Sequence, residues 1–301
     1  MNWHTFFSHR GPRFKIFRSA VFVCALLLAG GQYANAQESP QAPLAAPPEH
    51  DVRRMGNTPE PAAPPSLPPE EIIKKFSQKE DEYVAARPGY GYRKTVRIDE
   101  FDPQGKLVGQ FLMATETVRG NNGQVFSKVV QHPQSTLHFF TLEPEDVKEL
   151  DRVPPFPLTT SQLAKYDLKF IGDELIDELQ CYIFQVKPRG VDRTHAYFEG
   201  IVWVDAKYLE MVKTYGKWVN ELGDVHIANM PFTTYETYRE NVDGKYWFPS
   251  YERSDDTLHL KDANVAVRLV IKWTEFKALP AAAPATEAAP ADPAVPAKPP
   301  S

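Results

Sequence analysis

The sequence predicts an α+β domain dominated by strands: one strongly curved antiparallel sheet whose concave face is covered by helices. Three observations predict it. Residues 265–276 alternate, with Val265, Val267, Leu269, Ile271 and Trp273 on one side and Ala266, Arg268, Lys272 and Thr274 on the other. That is the period of a strand with one packed and one wet face. Tight-turn signals (Pro103-Gln104-Gly105, Asn121-Asn122-Gly123, Asp243-Gly244) separate the strand-like runs, so neighbouring strands are joined as hairpins. One long amphipathic helical segment and a shorter one must cover the apolar face, since little else can.

The long helix opens the folded part. Pro68-Pro69-Glu70-Glu71 places prolines and acids where a helix N-terminus prefers them. Ile72, Ile73, Phe76, Tyr83 and Val84 fall on one face at helical spacing, and Pro88-Gly89 ends the run. Strands are expected over 93–102, 107–118, 124–131 and 136–142. A short helix follows from Glu143-Pro144-Glu145-Asp146 to Leu150, then a rigid loop (VPPFPL) and one turn capped by Thr159 or Thr160. Longer strands come after: 166–174 with 180–188, 200–205 with 209–219, and 232–241 with 245–253. Residues 265–276 close the sheet. No fixed-period repeat is present.

The ends have a different chemistry. The first eighteen residues carry Arg10, Arg13, Lys15 and Arg18 and no acid; AVFVCALLLA follows, then Ala34-Asn35-Ala36 before Gln37. A basic segment, a short apolar segment and a small-x-small site make a secretory signal over 1–36, cleaved between Ala36 and Gln37. The apolar run is about half of the ~20 residues a membrane-spanning helix needs, and no later stretch is long and apolar enough to span, so the mature chain has no transmembrane segment. Cys24 leaves with the signal, and the Ala-Leu-Leu-Leu after it does not suit a lipid-anchored cysteine. Cys181 is then the only mature cysteine, which excludes an internal disulfide; its neighbours Tyr182, Ile183 and Phe184 mark it as a buried small hydrophobe. Residues 37–67 and 279–301 are rich in Pro and Ala with few large apolar side chains and read as disordered spacers. The folded domain is thus 68–278. Without the four leader cations, 30 Lys+Arg face 39 Asp+Glu, a net charge of −9, which argues against nucleic acid as a partner.

Four stretches carry a family resemblance: EIIKKFSQKEDEY at the helix entry, FEGIVWVDAKYLEMVKTYGKWV, TYETYRENVDGKYWFPSYERSDDTL, and the closing VRLVIKWTEF. Together with the export signal and the element order, they resemble the LolA/LolB-like superfamily of periplasmic lipoprotein-carrier folds, over about residues 70–277. The resemblance to proteins labelled outer-membrane lipoprotein-sorting protein implies an incomplete barrel whose helix-lidded concave side is an apolar cavity for acyl chains.

No catalytic constellation stands out. His132, His138, His195, His226 and His259 are scattered, without the paired spacing of metal ligands. The acid pairs Asp173-Glu174, Asp177-Glu178 and Asp255-Asp256 point to opposite faces of strands or sit in turns. No GxSxG, SxxK or phosphate-binding glycine loop occurs, and no cofactor is expected. Arg253 and Lys245 could meet an anionic headgroup, or be surface charge. The cavity candidates are Phe76, Phe139, Phe184 and Trp203, with Met211, Leu269 and Trp273 beside them. The same residues would equally make a packed core. The leading expectation is a periplasmic, non-enzymatic binder or carrier of a hydrophobic ligand, whether lipid, acyl chain or lipoprotein anchor. The alternative is an envelope protein-interaction or sensing module of the same fold with a filled cavity.

Overall fold

A computed structural model describes residues 65–280, apart from 121, 153–154, 227–229 and 262; the expected signal, its Ala36–Gln37 site and nearly all of both Pro/Ala segments lie outside these. Among the described residues, eleven strands form one antiparallel sheet that is not closed into a barrel. The chain begins with α1 (Pro69–Ala86) and runs into β1 (Tyr90–Phe101), β2 (Leu107–Arg119) and β3 (Val125–Ser135). After α2 (Pro144–Arg152) and a 3-10 turn (Thr160–Lys165) come β4 (Tyr166–Ile176), β5 (Leu179–Pro188), β6 (Tyr197–Asp205) and β7 (Met211–Asn220). The last strands are β8 (Gly223–Asp224), β9 (Thr234–Val242), β10 (Tyr246–His259) and β11 (Asn264–Ala278). The order across the sheet is β3-β2-β1-β11-β10-β9-β7-β6-β5-β4, with β8 on β7.

The turn chemistry is as expected. Gly105 and Gly123 take positive φ, and Asp243-Gly244 does so at both positions (55° and 67°), the left-handed pair a two-residue hairpin requires. Thr159 and Gln162 form a capping box on the 3-10 turn.

Two expectations need correction. Residues 136–142 do not form a strand. The fully buried Glu100 on β1 accepts the backbone N–H groups of His138 (2.8 Å) and Phe139 (3.0 Å). A carboxylate thus satisfies amides that a neighbouring strand would otherwise take. The buried stripe of α1 is Ile72, Phe76, Ser77, Glu80 and Tyr83, whereas Val84 is 42% exposed; a charged residue occupies the centre of the stripe because the sheet supplies its partner. The strand expected to close the sheet, β11, does so from within it. It lies between β10 and β1, pairing with eleven residues of β1 from Tyr90↔Ala278 to Phe101↔Ala266, so the first and last strands join two meanders into one sheet.

Apolar clusters form on both faces. Under α1, Ile72 and Phe76 pack with Phe156, Phe184, Phe198, Val202 and Met211. Under α2, Leu150 packs with Val96, Ile98, Leu269, Ile271 and Trp273, and Trp218 touches both clusters. On the opposite face Cys181, Ile183, Trp203, Tyr215 and Trp247 form a third cluster. The ring of Phe156 stacks on Phe198 at 4.1 Å. Phe198 in turn lies over the paired glycines Gly200 and Gly216, where a Cβ on Gly216 would stand 2.5 Å from the Phe198 ring and 2.5 Å from the Glu199 carbonyl. Gly216→Ala should therefore cost about 1–3 kcal/mol through overpacking, read as a lowered midpoint in thermal or urea unfolding.

Candidate functional site

The interface between α1 and the sheet is the best-defined polar feature of the interior. Arg239 on β9 is 1% exposed and donates to Glu80 of α1 through Nη1 (2.6 Å) and Nη2 (3.2 Å). Its Nη2 also donates to the Phe156 carbonyl (2.7 Å), and its guanidinium lies 4.9 Å from the Tyr83 ring centroid. One side chain thus ties the helix, the loop after α2 and the sheet. Around it, Ser77 Oγ and Tyr83 Oη are buried with no hydrogen-bond partner among the described residues, as is its own Nε. Beside it Glu210 is buried, with Lys79 at 3.9 Å. Burial raises the Glu210 carboxyl to about 8, against the pull of Lys79.

A second polar group lies under α2. Lys94 donates to the Leu150 carbonyl (2.7 Å), and Thr115 donates to Asp151 (3.0 Å), which fixes the end of α2 to β1 and β2. Burial lowers the Lys94 ammonium to about 8. Burial also pushes the Glu252 carboxyl up to about 7, although the Thr237 hydroxyl donates to it at 3.0 Å.

The structure distributes the seven expected cavity residues over four places. Phe76, Phe184 and Met211 meet beneath α1, each fully buried, with the two rings 5.8 Å apart. Leu269 and Trp273 belong to the cluster under α2. Trp203 lies on the opposite face, because it pairs with Ile183 and not Phe184. Phe139 is 40% exposed in the segment held by Glu100. Arg253 is no headgroup contact: its side chain is fully buried and paired with Asp255 (2.6 Å). Burial raises the Cys181 thiol to about 12, leaving it an inert core residue.

Two features escaped the sequence. On the opposite face the buried Lys213 pairs with Glu236 (2.5 Å), donates to the Tyr238 hydroxyl (2.8 Å) and lies 4.9 Å from the Trp203 ring centroid; a lysine inside the apolar run MVKTYGKWV was the available signal. The same face carries an open trough of about 730 Å³, lined by Arg97, Asp99, Phe101, Gln110, Thr257 and Arg268 beside the β1–β2 turn. Its charges are cross-paired. Arg97 and Gln110 hold Asp99 at 2.9 and 2.8 Å, and Arg268 and Arg253 hold Asp255 at 2.5 and 2.6 Å. Among the described residues, no group of three or more His, Cys, Asp or Glu is placed to hold a metal ion, and no helix is long and apolar enough to cross a membrane.

Solved structures of LolA-like proteins are similar to this chain. A DUF1329 family protein from Desulfovibrio piger is 14% identical, with a TM-score of 0.32 over 70% of this chain and 94% of its own. A LolA superfamily protein from Nitrosomonas europaea is 15% identical, with a TM-score of 0.30 over 71% and 94%. The Pseudomonas aeruginosa MucA/MucB complex matches at 11% identity and a TM-score of 0.20, over 70% and 99%. No protein-family model matches the chain, and no curated protein does. With TM-scores this low, neither ligand nor partner passes from those proteins to this one.

Two tests follow from the buried charges. Arg239→Leu strands Glu80 and should cost about 3–5 kcal/mol, whereas E80L/R239L should recover most of it, both measured by urea denaturation. Glu210 and Glu252 bind protons more tightly in the folded chain than the ordinary 4.5. Their stabilisation is full below that value and is lost as pH rises to about 8. Lys94 acts in the next window: its contribution is present above the ordinary 10.5 and lost as pH falls toward 8. Stability should thus be lower at pH 8 than at pH 5, and Glu210→Gln should remove part of that difference.

Proposed function

We propose that this chain is an exported, non-enzymatic binding module of the periplasm whose interior is filled by its own side chains and which meets an envelope protein partner with its outer surfaces. The observation that carries this reading is the fate of the expected lining. Phe76, Phe184, Met211, Leu269 and Trp273 are 0–5% exposed and packed against the chain's own residues. The Glu80–Arg239 pair stands across the same helix–sheet interface, in the path an acyl chain would take. Passing a methylene chain there would leave two desolvated charges without each other, a cost of several kcal/mol per ion against about 0.8 kcal/mol for each methylene buried. The outer trough, lined by paired guanidinium and carboxylate groups, suits a polar partner. The export signal read from the sequence supports the compartment.

A second reading retains the carrier. Ser77, Tyr83 and Arg239 each leave a buried polar atom without a partner at the α1 interface, and unmet hydrogen bonds weaken an interface. A hydrophobic ligand (a lipid, an acyl chain or a lipoprotein's anchor) that lifts α1 would enter here. The two readings separate by direct binding. The filled module yields no lipid by mass spectrometry after purification and takes up no fluorescent fatty acid after delipidation. Stoichiometric uptake would overturn it in favour of the carrier.

A further inference from the structure

The two ends of the sheet are β3 and β4, and they are treated differently. β4 carries Asp167, Lys169, Asp173 and Glu174, and Arg189 caps Asp167 at 2.9 Å. Charges of this kind are how proteins keep an edge strand from pairing. β3 (VFSKVVQHPQS) has no acid, one lysine and one histidine. Along it Val125, Phe126, Val129 and Val130 are 38%, 50%, 45% and 37% exposed, so apolar side chains face water on both sides of an end strand. Among the described residues only β2 pairs with it.

The hairpin fixes which backbone groups are on offer. Gly120 donates to the Gln124 carbonyl (2.8 Å), and Val118 and Glu116 stand opposite Phe126 and Lys128. Residues 124, 126 and 128 therefore turn their peptide groups toward β2, and the alternation of an antiparallel ladder turns those of Val125, Ser127 and Val129 outward. Register shifts opposite Leu112–Thr115 interrupt the ladder beyond Val129, and Pro133 has no N–H to give. The pairable stretch is thus 125–129.

That stretch is complementary to itself. We propose that two copies of this chain pair antiparallel through β3, about a two-fold axis at Ser127, continuing the sheet from one molecule into the next. In this register Val125 stands opposite Val129 of the second copy, Ser127 opposite Ser127, and Phe126 opposite Lys128. Apolar meets apolar, the ammonium meets an aromatic ring, and no like charges oppose each other, as cross-strand pairing prefers. A two-fold contact of one patch with itself closes at a dimer, and the charged β4 edge stops the sheet from growing at its other end.

Sedimentation equilibrium and oxidative crosslinking test this. The protein should sediment as a dimer. In a C24A background, with Cys181 buried, S127C should oxidise to a covalent dimer, since axial residues lie within disulfide reach. K128C is off the axis and should not. V125E and V129K should each weaken the dimer about tenfold, from two disfavoured cross-strand pairs per dimer, and V125E/V129K should restore it by setting opposite charges across the interface. A monomer at every concentration reached, equal crosslinking of S127C and K128C, or a double variant weaker than either single one would overturn the proposal.

Discussion

Arg239 is the interaction on which the interior depends. A guanidinium with almost no exposure must find acceptors within the protein, and it finds them on two separate pieces of chain, Glu80 of α1 and the carbonyl of Phe156. The seat of α1 on the sheet and the course of the loop after α2 are therefore set by one side chain on β9. The arrangement also bears on the stack of Phe156 on Phe198: the residue whose carbonyl is held by Arg239 lays its ring against Phe198, which itself lies over the Gly200–Gly216 pair. A hydrophobic cover alone would leave the helix free to slide along the sheet. A buried, doubly hydrogen-bonded ion pair gives it one position, and leaves the space beneath it occupied.

The second constraint is the ladder between β1 and β11. Each of the two meanders, β1–β3 and β4–β11, is local in sequence, but the sheet becomes continuous only where its first and last strands meet. That junction places Arg97 and Asp99 of β1 beside Arg268 of β11, and so creates the trough on the outer face. It also makes β3 and β4 the two ends of the sheet. The trough and the edges are consequences of one non-local pairing, which a chain rich in hairpins does not announce.

Legibility followed the range of the interaction. The hairpin at Asp243-Gly244, the capped turn at Thr159 and the buried, inert Cys181 were readable because each depends on a few neighbouring residues. The failures were tertiary. Glu80 reads as a surface acid on a helix until Arg239 is opposite it. Residues 136–142 read as a strand until the Glu100 carboxylate takes their amides. Phe184 and Trp203, both plausible cavity residues by composition, end on opposite faces, because adjacent positions on β5 pair with different residues of β6.

By itself the sequence determined most of the strands, the hairpin order and the amphipathic character of α1, since period-2 alternation, turn residues and helix caps act within a few residues of where they are written. Only the tertiary structure decided what each face lies against. Alternation states which side chains share a face, but not whether that face meets a ligand, a helix or the protein's own packed rings. That choice depends on contacts such as Glu80 with Arg239, 159 residues apart, whose energy exists only once both groups have left water.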